Sequence, residues 1–147
     1  MANERKTETI VRDHFHQFLN LIEIEEQKSD NSKINKLLKT ASKTGSGQGF
    51  PEFIITYKTN SDLLIVIECK AKITKHESPN KDQYSKYAVD GVLLYSSYLS
   101  KDFDVLSIAV SGENKIAPFG SLIIYNLKEK NRQGKSLVIN FCPSTII

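Results

Sequence analysis

The stretch Leu63-Leu64-Ile65-Val66-Ile67-Glu68-Cys69-Lys70 decides how this chain folds. Five consecutive apolar residues describe a strand covered on both faces, as in the middle of a layered sheet. The run then ends in an acid and a base. Side chains at i and i+2 of a strand point to one face, about 6.6 Å apart at a rise of about 3.3 Å per residue. Glu68 and Lys70 therefore project together from the end of a core strand. Charges placed there are costly unless they are paired or used. Cys69 faces the other side as a small apolar residue, and no redox role is assigned to it.

Upstream, Phe53-Ile54-Ile55-Thr56-Tyr57 is a β-branched and aromatic strand, and the polar residues 58–62 make a turn into the central strand. Before it, Gly45-Ser46-Gly47-Gln48-Gly49 suggests a phosphate cradle, but a P-loop opens a helix and these glycines lead into a strand. They read as a flexible connection that lets backbone approach something closely. Val11, Phe15, Phe18 and Ile22 form one stripe of a first helix. Glu8 lies on that stripe, and two readings stand: a solvated first turn with Glu8 pairing Arg12, or a carboxylate aimed into a polar site. Ser32 is expected to cap a second helix with Ile34, Leu37, Leu38 and Ala41 inward and Lys33, Lys36, Lys39 and Lys43 toward solvent.

Downstream, Ser78-Pro79 is expected to open a helix over 81–99, with Asp90-Gly91 as its weak point. Strands follow at 105–110, 122–127 and 137–141, the last two joined by a charged stretch. The order is helix, helix, strand, strand, helix, strand, strand, strand. That is an α/β layer with a mixed sheet flanked by helices.

With 147 residues the chain is read as a single domain, its core at about 8–112 and residues 113–147 less defined. A hydrophobic content of 39% with 25% charged residues excludes wholesale disorder, and the longest apolar run, 63–67, is too short to cross a bilayer. No secretory leader is visible, and two cysteines are too few for a disulfide scaffold, so a cytoplasmic, reduced protein with no membrane partner is expected. The net charge of +3 is unevenly spread. Residues 1–32 carry four bases and seven acids, residues 33–86 ten bases and five acids, and residues 87–147 six bases and five acids. The basic middle is compatible with a polyanionic partner or with a solvated face.

If the strands at 53–57 and 63–70 form a hairpin, Glu52 and Glu68 meet at one edge of the sheet beside Lys70. Two carboxylates with a nearby ammonium make a hard-oxygen site suited to Mg²⁺, which prefers carboxylates, waters and phosphate oxygens. The lysine can orient or deprotonate a water, and the cation can stabilise charge on a phosphate under in-line attack.

Pro51-Glu52, followed after a strand by Glu68-Cys69-Lys70, resembles the motif of the PD-(D/E)xK nuclease superfamily. Gln83-Tyr84-Ser85-Lys86-Tyr87 is similar to the QxxxY motif of its RecB-like and restriction branches. Gly49-Phe50-Pro51-Glu52-Phe53 and Ala109-Val110-Ser111-Gly112 resemble the N-terminal nuclease domains of type I restriction enzyme R subunits. The resemblance covers about residues 8–112. It implies a restriction-endonuclease-like mixed sheet and a DNA endonuclease of a restriction-modification system, dependent on Mg²⁺ with Mn²⁺ as a substitute. It implies catalytic roles for Glu52, Glu68 and Lys70. Metal ligands would be Glu52, Glu68, the Cys69 carbonyl and Glu8.

It also implies that Gln83 and Tyr87 share a helix face toward DNA. Lys86 and Lys43 are read with them as DNA contacts, from the basic middle segment. Products would carry a 5′-phosphate and a 3′-hydroxyl, and the partners would be DNA and restriction subunits or fused motor or methyltransferase domains. The motif's aspartate is Glu52 here, one methylene longer. That keeps open a degenerate nuclease fold that binds DNA or a partner without cutting, and a repair exonuclease or junction resolvase is a third reading. His14 and His16 point to different faces of a helix and are not read as ligands. His76 is read as a bystander.

Overall fold

The computed structural model describes residues 4–113 and two further strand segments, 119–125 and 137–141. The chain runs α1 (Glu4–Phe15), β1 (Ile22–Glu26), α2 (Ser32–Leu38), β2 (Phe53–Tyr57), β3 (Asn60–Lys70), α3 (Ala88–Leu99), β4 (Asp104–Ser111), β5 (Phe119–Tyr125) and β6 (Leu137–Phe141). The strands form one sheet in sequential order, β1 to β6. β3 and β4 are parallel, joined through α3, and every other neighbouring pair is antiparallel. This mixed sheet with flanking helices is the α/β architecture expected from the sequence, and it is consistent with a restriction-endonuclease-like fold. No helix among the described residues is long and apolar enough to cross a membrane. Cys142 and the linking stretch 128–135 lie outside the described residues.

β3 explains the two layers. Its even residues Leu64 and Val66 pack with Ile54, Ile34, Leu38, Val92, Tyr95 and Leu99 beneath α2 and α3. Its odd residues Ile65, Ile67 and Cys69 pack with Phe53, Ile55 and Val11 beneath α1. An uninterrupted apolar run is what a strand with two covered faces requires, each such side chain contributing roughly 1.5–3 kcal/mol.

The first helix is shorter than its apolar stripe. α1 stops at Phe15, a single 3-10 turn covers His16–Phe18, and Phe18 is 40% exposed. Ile22 instead opens β1, whose Ile-Glu-Ile-Glu alternation has the two-residue period of an edge strand. Ile22 fits both periods, and pairing with Tyr57 of β2 decides the outcome. The cap of α2 is Asn31 rather than Ser32, its side chain accepting from the N–H groups of Lys33 and Ile34. Ala41 and Lys43 lie beyond the end of α2.

The helix expected over 81–99 is shorter, 12 residues. Residues 81–87 are turn and coil, and α3 begins at Ala88. The reason is Asp90, inside α3 and completely buried. Its carboxylate accepts from the Ser78 N–H at 3.1 Å, the Gln83 N–H at 2.9 Å and the Ser78 hydroxyl. These donors are held by a side chain from the next helix instead of by helical carbonyls. His76 fastens the same loop to the sheet: its Nδ1 lies 2.9 Å from Ser111 Oγ at the end of β4, and its carbonyl accepts from Val89 N–H at 2.8 Å. Burial lowers the His76 pKa.

Replacing Asp90 by Ala is expected to strand two backbone donors and to cost about 2–4 kcal/mol. Urea unfolding measures this, and a cost near zero would mean that the loop is held by something else.

Candidate active site

The open ends of β2 and β3 lie side by side. Phe53 pairs with Ile67, so the next residues outward are Glu52 and Glu68. The Glu52 backbone N–H donates to Glu68 Oε1 at 3.2 Å. Glu68 is fully buried, and its Oε2 accepts from the Lys43 ammonium at 2.9 Å. Burial pushes the Glu68 carboxyl up, against the opposing pull of Lys43, Lys70 and the Glu52 N–H. Burial pulls the Lys43 ammonium down, but the Glu68 carboxylate overrides it and the group sits at about 12. Lys43 therefore stays charged at any physiological pH.

Lys70, at the end of β3, is 9% exposed and reaches Glu4 Oε1 at 3.0 Å. Glu4 and Glu8 are one helical turn apart on α1, so both face the same way. α1 is fixed across this end of the sheet by Thr7, whose buried hydroxyl donates to the Gly112 carbonyl, and by Arg12, which pairs with Glu26 of β1. The possible Glu8–Arg12 pairing thus gives way to Arg12–Glu26. Oxygens of Glu4, Glu8 and Glu52 lie within 4.8 Å of one another. Burial first, and then the Glu68 and Glu8 carboxylates, push the Glu52 carboxyl up to about 7.

Glu52, Glu68, Lys70 and Glu8 thus converge at one end of the sheet, and Cys69 faces the α1 layer with its thiol pushed up by burial. Three half-buried carboxylates offering hard oxygen donors fit a divalent cation such as Mg²⁺. Two expectations change. Lys43 is not a solvent-facing lysine of α2; it lies in the turn beyond that helix and pairs with Glu68. Gln83 and Tyr87 do not share a helix face. Both lie in the turn before α3, where Tyr87 is the N-cap residue, with the Lys75 ammonium 4.9 Å from its ring centroid. Gln83 and Lys86 are exposed.

Sequence reasoning missed Glu4, although its spacing of four from Glu8 was a usable signal. It also missed Gly91. A Cβ there would stand 2.9 Å from the Tyr84 carbonyl oxygen and 3.3 Å from Glu68 Oε2. A side chain at this point of α3 would press on the buried carboxylate.

The Glu52 carboxyl sets a pH dependence. Its folded pKa of about 7 exceeds its ordinary 4.5, so the folded protein holds the proton more tightly than the unfolded chain does. Stability without a bound cation therefore falls as pH rises between those two values. Glu52→Gln is expected to exceed the wild type by about 1–2 kcal/mol at about pH 8, allowing for partial exposure, and to match it near pH 5. Urea titrations at the two pH values test this, and a variant no more stable at the higher pH would contradict it.

No family model matches this chain, and no solved structure matches it. It is 33% identical over 128 residues to "Type II restriction enzyme and methyltransferase RM.BcgI" from Heyndrickxia coagulans, an alignment covering 77% of this chain and 19% of that protein. The chain thus spans about a fifth of the relative's length. The relative is named as a type II protein, whereas the motifs resemble type I R subunits. The similarity links the chain at modest identity to a restriction-modification protein.

Proposed function

We propose that this chain is a Mg²⁺-dependent DNA endonuclease domain of a restriction-modification system. The observation that carries the reading is the meeting of Glu52, Glu68 and Lys70 at one sheet end, with Glu8 and Glu4 brought in by α1. The similarity to a restriction enzyme fused to a methyltransferase supports the same system, with recognition supplied by other subunits or domains. Glu52, Glu68, Glu8 and the Cys69 carbonyl, with Glu4, would hold the cation. Bound there, the cation would supply electrostatic stabilisation of the charge that develops on the phosphate.

The remaining work falls to the chain's own groups. Lys70, held by Glu4 at 3.0 Å, is placed to orient a water toward the phosphate and to balance its charge. The buried end of β3 limits how far Glu68 and Lys70 can drift, which keeps the approach in line. Exposed lysines at 72, 81 and 86 in the loop after β3 give the neighbouring surface a positive charge for the phosphate backbone. A second reading, binding without cutting, is favoured by the engagement of both Glu68 oxygens by Lys43 and the Glu52 N–H.

Plasmid cleavage in the presence of Mg²⁺ separates the two readings. The wild type is expected to nick or linearise the plasmid, and Lys70→Ala to lose about 100-fold or more in rate. Equal nicking by both removes the role of Lys70, and salt-sensitive binding without product supports the second reading.

A further inference from the structure

Both oxygens of Glu68 are occupied, and one of the occupants is a cation. The Lys43 ammonium sits 2.9 Å from Oε2, and the Glu52 N–H takes Oε1. Lys43 belongs to neither β3 nor a strand beside it. It lies in the turn after α2, and its side chain is 17% exposed, so the stem runs inward from the surface. The Tyr95 ring, its centroid 5.7 Å from Nζ, offers the ammonium a second favourable contact. The turn that follows is closed by hydrogen bonds from Ser42 N–H to the Gly47 carbonyl and from Gly45 N–H to the Ser42 carbonyl. Gly45 and Gly47 have φ of +97° and +93°, and no atom lies within 4 Å of where a Cβ would stand.

The carboxylates are thereby divided. Glu52 faces Glu4 and Glu8 on the open side, while Glu68 lies under Lys43. A cation shared by Glu52 and Glu68 needs the oxygen that the ammonium holds. We infer that Lys43 is a displaceable internal counter-ion. It holds the buried Glu68 carboxyl group in place through Oε2 while no divalent cation is bound, and it releases Oε2 when one is seated against Glu52. This inference rests on the nuclease reading. It gives Lys43 a positioning role rather than a catalytic one, since it acts through Glu68. At rest the ammonium, with the Glu52 N–H, offsets the cost of burying the carboxylate, and the divalent cation takes over the ammonium's share on binding.

The competition can be read on the wild-type chain without an activity assay. Lysines are acylated with a water-soluble amine reagent, with and without saturating Mn²⁺, and mapped by peptide mass. Lys43 is expected to label several-fold faster with Mn²⁺, while the exposed Lys36 and Lys39 serve as unchanged references. Calorimetry supplies a second measurement: Lys43→Gln is expected to bind Mn²⁺ about tenfold more tightly than the wild type, because its competitor is gone. If Mn²⁺ raises the wild-type Tm and Glu52→Gln abolishes that rise, yet Lys43 labelling stays constant or slows, the inference fails and the metal reading stands. Weaker or equal Mn²⁺ binding by a folded Lys43→Gln likewise overturns it. If Mn²⁺ binds no variant and not the wild type, the metal reading and the inference fail together.

Discussion

The structure depends on accommodating one carboxyl group where no water reaches it. Glu68 lies two residues before the end of β3, fully buried, and isolating its charge there would cost several kcal/mol. The fold answers with two groups from different segments, the Lys43 ammonium and the Glu52 N–H. Both have to arrive correctly for β3 to end as it does. The constraint reaches α3, where Gly91 leaves room for the carboxylate, and Gly49, where an added Cβ would stand 2.6 Å from both the Ala41 carbonyl oxygen and Tyr95. Close backbone packing around a buried charge limits what each neighbouring position can hold.

Around this anchor the site is built from separate layers. β3 brings Glu68 and Lys70, and β2 brings Glu52 through ordinary antiparallel pairing. α1 adds Glu4 and Glu8 from the opposite layer. Burial first, and then the crowding of the carboxylates, raises the Glu52 pKa, and a divalent cation would relieve the crowding. Such crowding is unfavourable for folding alone, and its presence at the rim of a core strand is what makes the site a candidate for chemistry.

The central part of this arrangement was legible in the residues themselves. The apolar run before Glu68-Cys69-Lys70 could only be a doubly covered strand, and a short polar turn made its pairing with 53–57 the simplest choice. What stayed hidden was decided by distant partners. Ile22 satisfies a helical stripe and a strand alternation equally, and only Tyr57 chooses between them. The segment 81–87 has helical spacing, but Asp90 offers its backbone a better acceptor. Lys43 is 25 residues from Glu68 and Glu4 is 66 from Lys70, so neither pairing leaves a local trace.

The anchoring of α1 bears on how the protein is made. Thr7 is tied to the carbonyl of Gly112, 105 positions along the chain. Synthesis is vectorial, and closing so long a loop is entropically slow. The contact that fastens the first helix to the end of β4 therefore forms only once the chain through Gly112 has been made.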